Sequence, residues 1–175
     1  MKKLIYSILI LATIAGVTLY TINSKDNYDA SKYFAKATDG LNVGSALDLK
    51  LPDQFDKSIT LNSDTKKLIF AFSKETGHIT REFFGKQEKD FLNSKKALLV
   101  ADISKMPVFI RNTFAMPDLK KSSYHILLIY EGKLAKEFEK DIKDKNKVIV
   151  VTLNNKKVTK VDLASNEKEL EALLK

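Results

Sequence analysis

Lys67–Ser73, KLIFAFS, is an unbroken apolar run of strand length. Continuous runs without polar alternation belong to strands covered on both faces, so this segment reads as a central strand. Ala97–Ile103, ALLVADI, and Tyr124–Tyr130, YHILLIY, read the same way. Between the first two, Ile79, Phe83 and Phe84 fall at helical spacing, and Phe91 and Leu92 continue the pattern past Gly85. The spacing predicts one helix from about Gly77, kinked or restarted near Gly85. Pro107 at a first-turn position predicts a short helix carrying Val108, Phe109, Ile110 and Phe114 and stopping before Pro117. The phenylalanines sit at core positions, which favours packing over an aromatic ligand box.

Upstream, Val43–Leu61 alternates apolar and polar residues around Pro52-Asp53, as two short strands joined by a turn do. Downstream, Lys147–Leu153 reads as a strand, Asn154-Asn155 as a tight turn and Lys157–Leu163 as the return strand. Ser165 is the expected N-cap of a last helix buried through Leu170, Leu173 and Leu174. Strands alternating with helices predict an α/β fold: a three-layer α/β/α sandwich with a mainly parallel central sheet, a C-terminal antiparallel hairpin and a final helix.

The chain has 175 residues and no cysteine, which excludes thiol exchange, disulfide stapling and cysteine-ligated metal. Its net charge is +8, yet only Arg81 and Arg111 are arginines, and the lysines are interleaved with acids, as in Lys136–Lys147. Phosphate and base recognition favours the guanidinium fork, so the lysines read as a solvated surface and no nucleic-acid partner is expected. The two histidines are far apart and neither phosphate-loop glycine pattern is present. Metal and cofactor are therefore not expected; a flavin or nucleotide is suggested only by the parallel core.

Lys2 and Lys3 precede an uncharged stretch, Leu4–Ile22. As a helix it would measure about 28 Å against a hydrocarbon core of roughly 30 Å. Residues 1–22 read as a signal anchor, or a cleaved signal peptide, 23–40 as a polar spacer and 41–175 as the folded domain. The expected location is a single-pass inner-membrane protein with its domain in the periplasm, or a domain exported after cleavage; the membrane itself is the expected partner of the N-terminal helix.

VGSALDLKLPDQFDKSITL (43–61) followed by KKLIFAFSKETG (66–77) resembles the opening of peroxiredoxins and membrane-tethered thiol–disulfide oxidoreductases. VIVVTLNNKKVTKVDLASNEKELEALL (148–174) resembles the terminal hairpin and helix of thioredoxins. The resemblance implies a thioredoxin-like scaffold. It places Thr76–Ile79 where the family carries Cys-x-x-Cys, and Lys145-Asn146-Lys147 stands where the family carries a proline before the hairpin.

Ser73, Lys74, Glu75, Thr76, Gly77 and His78 follow the central strand and Asp102 ends its neighbour, so they are candidates to border the crevice where open α/β sheets bind ligands. Free N–H groups at the helix start favour an anion. The plainer reading makes Ser73 or Thr76 a helix cap, Asp102 a turn residue and His125 a strand-end residue bonded locally. Two functions follow as expectations: a non-catalytic module binding a protein partner or small anionic ligand, or a cysteine-independent enzyme using Glu75, His78 and Asp102.

Overall fold

The computed structural model describes residues 2–175, with side chains described except at residues 2–4 and 7. Met1 of the expected 1–22 leader lies outside the described residues. Helix α1 covers Lys2–Asn23. Among the described residues no helix is long and apolar enough to cross a membrane.

The rest follows in the order β1 (Phe34–Ala37), β2 (Leu47–Pro52), β3 (Ser58–Thr60), β4 (Lys67–Ala71), α2 (Lys74–Gly85), α3 (Phe91–Ser94) and β5 (Ala97–Asp102). Then come α4 (Val108–Ile110), a π turn at Arg111–Ala115, α5 (Met116–Leu119), β6 (Ile126–Ile129), α6 (Gly132–Glu139), β7 (Val148–Asn154), β8 (Lys157–Ala164) and α7 (Glu167–Leu174). Strand β1 and the 3₁₀ turn Ala30–Lys32 lie inside the stretch expected to be a spacer.

The five-stranded sheet runs β6-β5-β4-β7-β8. KLIFAFS thus supplies the middle strand: β4 is parallel to β5, with Phe70 opposite Val100, and antiparallel to β7, with Phe70 opposite Ile149. β5–β6 is also parallel and β7–β8 is the antiparallel hairpin. Phe70 is fully buried, 5.4 Å from Phe72 and 5.1 Å from Phe138 between ring centroids. One face packs Ile69, Leu99 and Val150 against Phe83, Phe84 and Leu170 of α2 and α7. The opposite face packs Phe70, Leu127 and Val151 against Leu49, Leu51 and Phe138, so its cover is α6 and the antiparallel sheet β1-β2-β3.

Local chemistry moves several boundaries. Helix α2 starts at Lys74, ahead of Gly77, because Ser73 and Thr76 form a capping box: the Thr76 N–H donates to Ser73 Oγ (3.3 Å) and the Ser73 N–H to Thr76 Oγ1 (3.0 Å). The helix restarts only at Phe91. Pro107 precedes α4 instead of entering it, and the helical run continues past Pro117. The π turn, closed by the Met116 N–H donating to Arg111 O, puts Pro117 in the first turn of α5, where its missing donor costs nothing. Lys136–Lys147 begins inside α6, whose Leu134, Ala135 and Phe138 form a buried face among solvated lysines and acids.

The hairpin turns on Asn155 and Lys156, both at positive φ, one residue later than Asn154-Asn155; Asn154 still pairs with Lys157. Helix α7 is capped by Asn166, not Ser165. Asn166 Oδ1 accepts from the Glu169 N–H (2.9 Å) and Glu169 Oε2 accepts from the Ser165 N–H (2.7 Å). With Asn166 as the cap, Glu169 falls at the third helical position and its carboxylate reaches back to the backbone ahead of the helix.

Candidate functional site

The central strand ends at a cleft of about 520 Å³ between α2 and the helical run 108–119. Its floor is the start of α2 and the end of β5, and its walls include Phe72, Leu99, Ala101, Met106, Leu119 and Ile126. This is the size and apolar character of a small-molecule pocket. Topology places it: β4 and β5 are parallel, so both deliver their carboxyl ends, and the segments that follow, to one edge of the sheet.

Five of the seven residues singled out from the sequence border the cleft: Ser73, Lys74, Gly77, His78 and Asp102. Glu75 is exposed and points elsewhere, and Thr76 is buried beneath the helix start, its hydroxyl committed to the cap. Ser73 Oγ is committed to the same cap, and Asp102 Oδ1 accepts from the Ser104 N–H (2.9 Å). His78 is exposed, with Nε2 3.2 Å from Glu82 Oε1. Among the described residues no hydrogen bond joins Glu75, His78 and Asp102. His78 and Asp102 border the cleft together, and Glu75 lies outside it.

Charges of both signs line the cleft, Lys74, Arg81 and Lys105 against Asp102 and Asp118. Lys74 and Lys105 stand at its rim, and Arg81 of α2 pairs with Asp118 of α5 across it. Lys121 reaches the same Asp118 at 3.4 Å. Tyr124 lines the inner end; burial pushes its hydroxyl up from the ordinary tyrosine range, against the opposing Ser122 hydrogen bond and Arg81 charge. Arg81 and Asp118 were not legible as a pair because 37 residues separate them.

His125 bonds across the fold and not locally: its Nδ1 lies 2.7 Å from Oδ2 of the fully buried Asp53. Gln54 beside it accepts from the Ile126 N–H (2.8 Å) and donates to Tyr124 O (2.7 Å), clipping the end of β2 onto edge strand β6. This edge would otherwise stay open for pairing with another chain.

A second polar cluster, unforeseen from the sequence, joins the N-terminal stretch to the helical run. Arg111, 4% exposed, donates to Asp26 Oδ1 at 2.6 Å and lies 4.7 Å from the centroid of the Tyr130 ring. Tyr28 stacks on Tyr130 at 4.6 Å and donates to Glu131 Oε2 (3.3 Å). Asn112 Nδ2 donates to Asn23 O and Lys25 O, both at 2.9 Å. Burial works to raise the Asp26 carboxyl, but the Arg111 hydrogen bond, the Tyr28 N–H and the Arg111 charge outweigh it and hold the group below its usual range. Burial, with the Asp56 charge, pushes the Tyr130 hydroxyl up to about 12 despite Arg111. Burial and Glu131 raise Tyr28 as well. The one sequence signal for this cluster is the rarity of arginine.

Known structures match this arrangement of strands and helices. A candidate protein disulfide isomerase from Bacteroides thetaiotaomicron aligns over 81% of this chain and 89% of its own, at 17% identity and a TM-score of 0.50. The fold is thioredoxin-like. The thioredoxin domain of a thiol-disulfide oxidoreductase from Bacteroides vulgatus aligns over 77% and 99%, at 14% identity and a TM-score of 0.47. The pneumococcal exposed lipoprotein thioredoxin of Streptococcus pneumoniae aligns over 73% and 97%, at 15% identity and a TM-score of 0.48. No family model and no curated protein sequence matches the chain. At these identities the likeness is one of fold. With no cysteine at any position, this thioredoxin-like module carries no thiol chemistry.

Proposed function

We propose that this chain is a membrane-tethered, extracytoplasmic binding module whose cleft at the end of β4 takes a small anionic ligand with an apolar body. The cleft itself carries the reading: about 520 Å³ of largely apolar space with Lys74, Lys105 and Arg81 at its opening. Apolar walls supply affinity by desolvation, and cations at the mouth select the sign of the exposed end. The capping box takes up the Ser73 and Thr76 N–H groups and Arg81 is paired with Asp118, so Lys74 and Lys105 carry most of the preference for an anion. The tethering rests on Lys2 and Lys3 followed by the uncharged run from Leu4 to Ile22. A protein partner offering an acidic, apolar side-chain pair would satisfy the same chemistry.

The test is titration of the full chain with 2-naphthalenesulfonate, following the methyl resonances of Leu99 and Ala101. Saturable shifts confined to the cleft are expected, with affinity falling at least tenfold in Ala101→Phe, which fills the space, and severalfold in the Lys74→Glu, Lys105→Glu double variant. Shifts scattered over the surface, or binding indifferent to both variants, would discard the cleft as the site. Alkaline carbonate extraction of native membranes tests the tether separately: release of the chain into the soluble fraction contradicts it.

A further inference from the structure

Beyond α1, the exposed large apolar side chains are few, and two of them, Ile110 (41% exposed) and Phe114 (61%), sit one turn apart on the helical run Val108–Ala115. They flank a shallow groove of about 530 Å³ formed with Met106, Thr113, Pro117 and Lys121. The run from Val108 to Pro117 contains no acid, and its single charge is turned inward: Arg111 is buried against Asp26 and Tyr130. The outward side is therefore apolar and uncharged as far as Pro117; beyond it Asp118 borders the groove, paired with Arg81 and Lys121, and Lys120 and Lys121 are exposed.

This run is also held beside the last turns of α1. The Tyr20 ring lies 5.2 Å from that of Phe109, which lies 6.5 Å from that of Phe114. Asn112 holds the carbonyls of Asn23 and Lys25, and Arg111 holds Asp26, so the chain leaving α1 is fixed to the run at three successive points. Tyrosines near the end of a spanning helix favour the headgroup level. A surface this close to Tyr20 reaches the same level.

We infer that Val108–Ala115 is a foot seated on the lipid bilayer, with Ile110 and Phe114 entering the boundary between headgroups and acyl chains. The inference rests on the tethering part of the proposed function, since α1 must be inserted for the foot to land. The occupant is a bilayer and not a second copy or a soluble partner, because the patch is continuous with the α1 side chains that the bilayer itself would cover. Short helices with one apolar side settle about 5–10 Å into this boundary, and neighbouring lysines favour anionic headgroups. The domain would then be held at a set height and tilt, with the cleft close to the membrane: Met106, Ala115 and Asp118 border both the cleft and the groove.

The chain has no tryptophan, so each introduced one is a sole reporter. Full-length Phe114→Trp, Ile110→Trp, Val17→Trp and Val43→Trp would be reconstituted in phosphatidylcholine–phosphatidylglycerol vesicles with acyl chains brominated near the headgroup. Val43 is an exposed control, held beside Val158 near the hairpin turn, at the other end of the sheet. The expected result is at least twofold stronger quenching for Phe114→Trp and Ile110→Trp than for Val43→Trp, with Val17→Trp quenched too. Quenching of Val17→Trp while both foot reporters match Val43→Trp overturns the foot and leaves the tether standing. An unquenched Val17→Trp removes the tether, and the foot with it.

Discussion

The cleft and the N-terminal clamp are both built on segments that leave the carboxyl end of the parallel strands, yet they spend their polar groups differently. At the cleft, Ser73, Thr76 and Asp102 are satisfied by backbone or side-chain partners within three residues, and Lys74 and His78 project to solvent. At the clamp, Asp26–Arg111 and Tyr28–Glu131 join residues 85 and 103 positions apart, and the guanidinium is buried. Short-range bonds set up a helix and leave space above it. Long-range bonds fill space and fix one segment on another. An open volume is what a binding site needs, and a filled one is what an attachment needs.

The sharpest way to break this contrast is at the clamp. Asp26→Ala leaves the Arg111 guanidinium buried without its carboxylate and is expected to cost about 2–3 kcal/mol, read from the urea midpoint of the full chain. Arg111→Met, which removes the charge along with its partner's need for it, should cost clearly less because Asp26 is partly exposed and hydrates. Equal losses in the two variants would mean that packing, and not the buried charge, dominates.

At the cleft the effects are smaller and of both signs. Ser73→Ala removes the cap of α2 and is expected to destabilise by about 1 kcal/mol. Gly77→Ala should do the reverse: a Cβ at Gly77 meets nothing within 4 Å, so the substitution gains about 0.5–1 kcal/mol of helix stability while narrowing the cleft. A stabilised Gly77→Ala that also binds naphthalenesulfonate less well would show that glycine is retained there for room. If stability falls, the space beside Gly77 is not free.

The last effect is a loss seen only at alkaline pH. Tyr130 titrates near 12 in the fold against 10.0 ordinarily, so the folded state favours its neutral form. Its contribution is complete below pH 10 and is lost as pH rises towards 12. Absorbance at 295 nm should show three tyrosines, Tyr28, Tyr124 and Tyr130, ionising above the ordinary tyrosine range. If only Tyr124 ionises late, the Tyr28–Tyr130 stack is open in solution.

Much of the fold was legible along the chain. The continuous apolar runs announced β4, β5 and β6, and the residues after β4 announced where a cleft would open, because a strand covered on both faces cannot carry polar groups. Segments whose burial depends on a distant partner were not legible. Helix α6 looks like a run of lysines and acids until Leu134, Ala135 and Phe138 meet the sheet, and β1 looks like a spacer until Ala35 lies opposite Leu49. Glu75 sits in the right loop but on the outer side of α2, a matter of helical phase that follows from the cap beginning at Ser73.

Composition alone determined that no thiol chemistry is possible, and local pattern alone determined the strands, the hairpin and the alternation that makes an α/β sandwich. Tertiary structure decided which side chains share space: Arg81 with Asp118 over the cleft, Asp53 with His125 at the sheet edge, and Asp26 with Arg111 under the foot. The reason is physical. Periodicity and capping act over a few residues and are written in neighbouring letters, whereas a buried charge finds its partner only when the chain has folded to bring the two together.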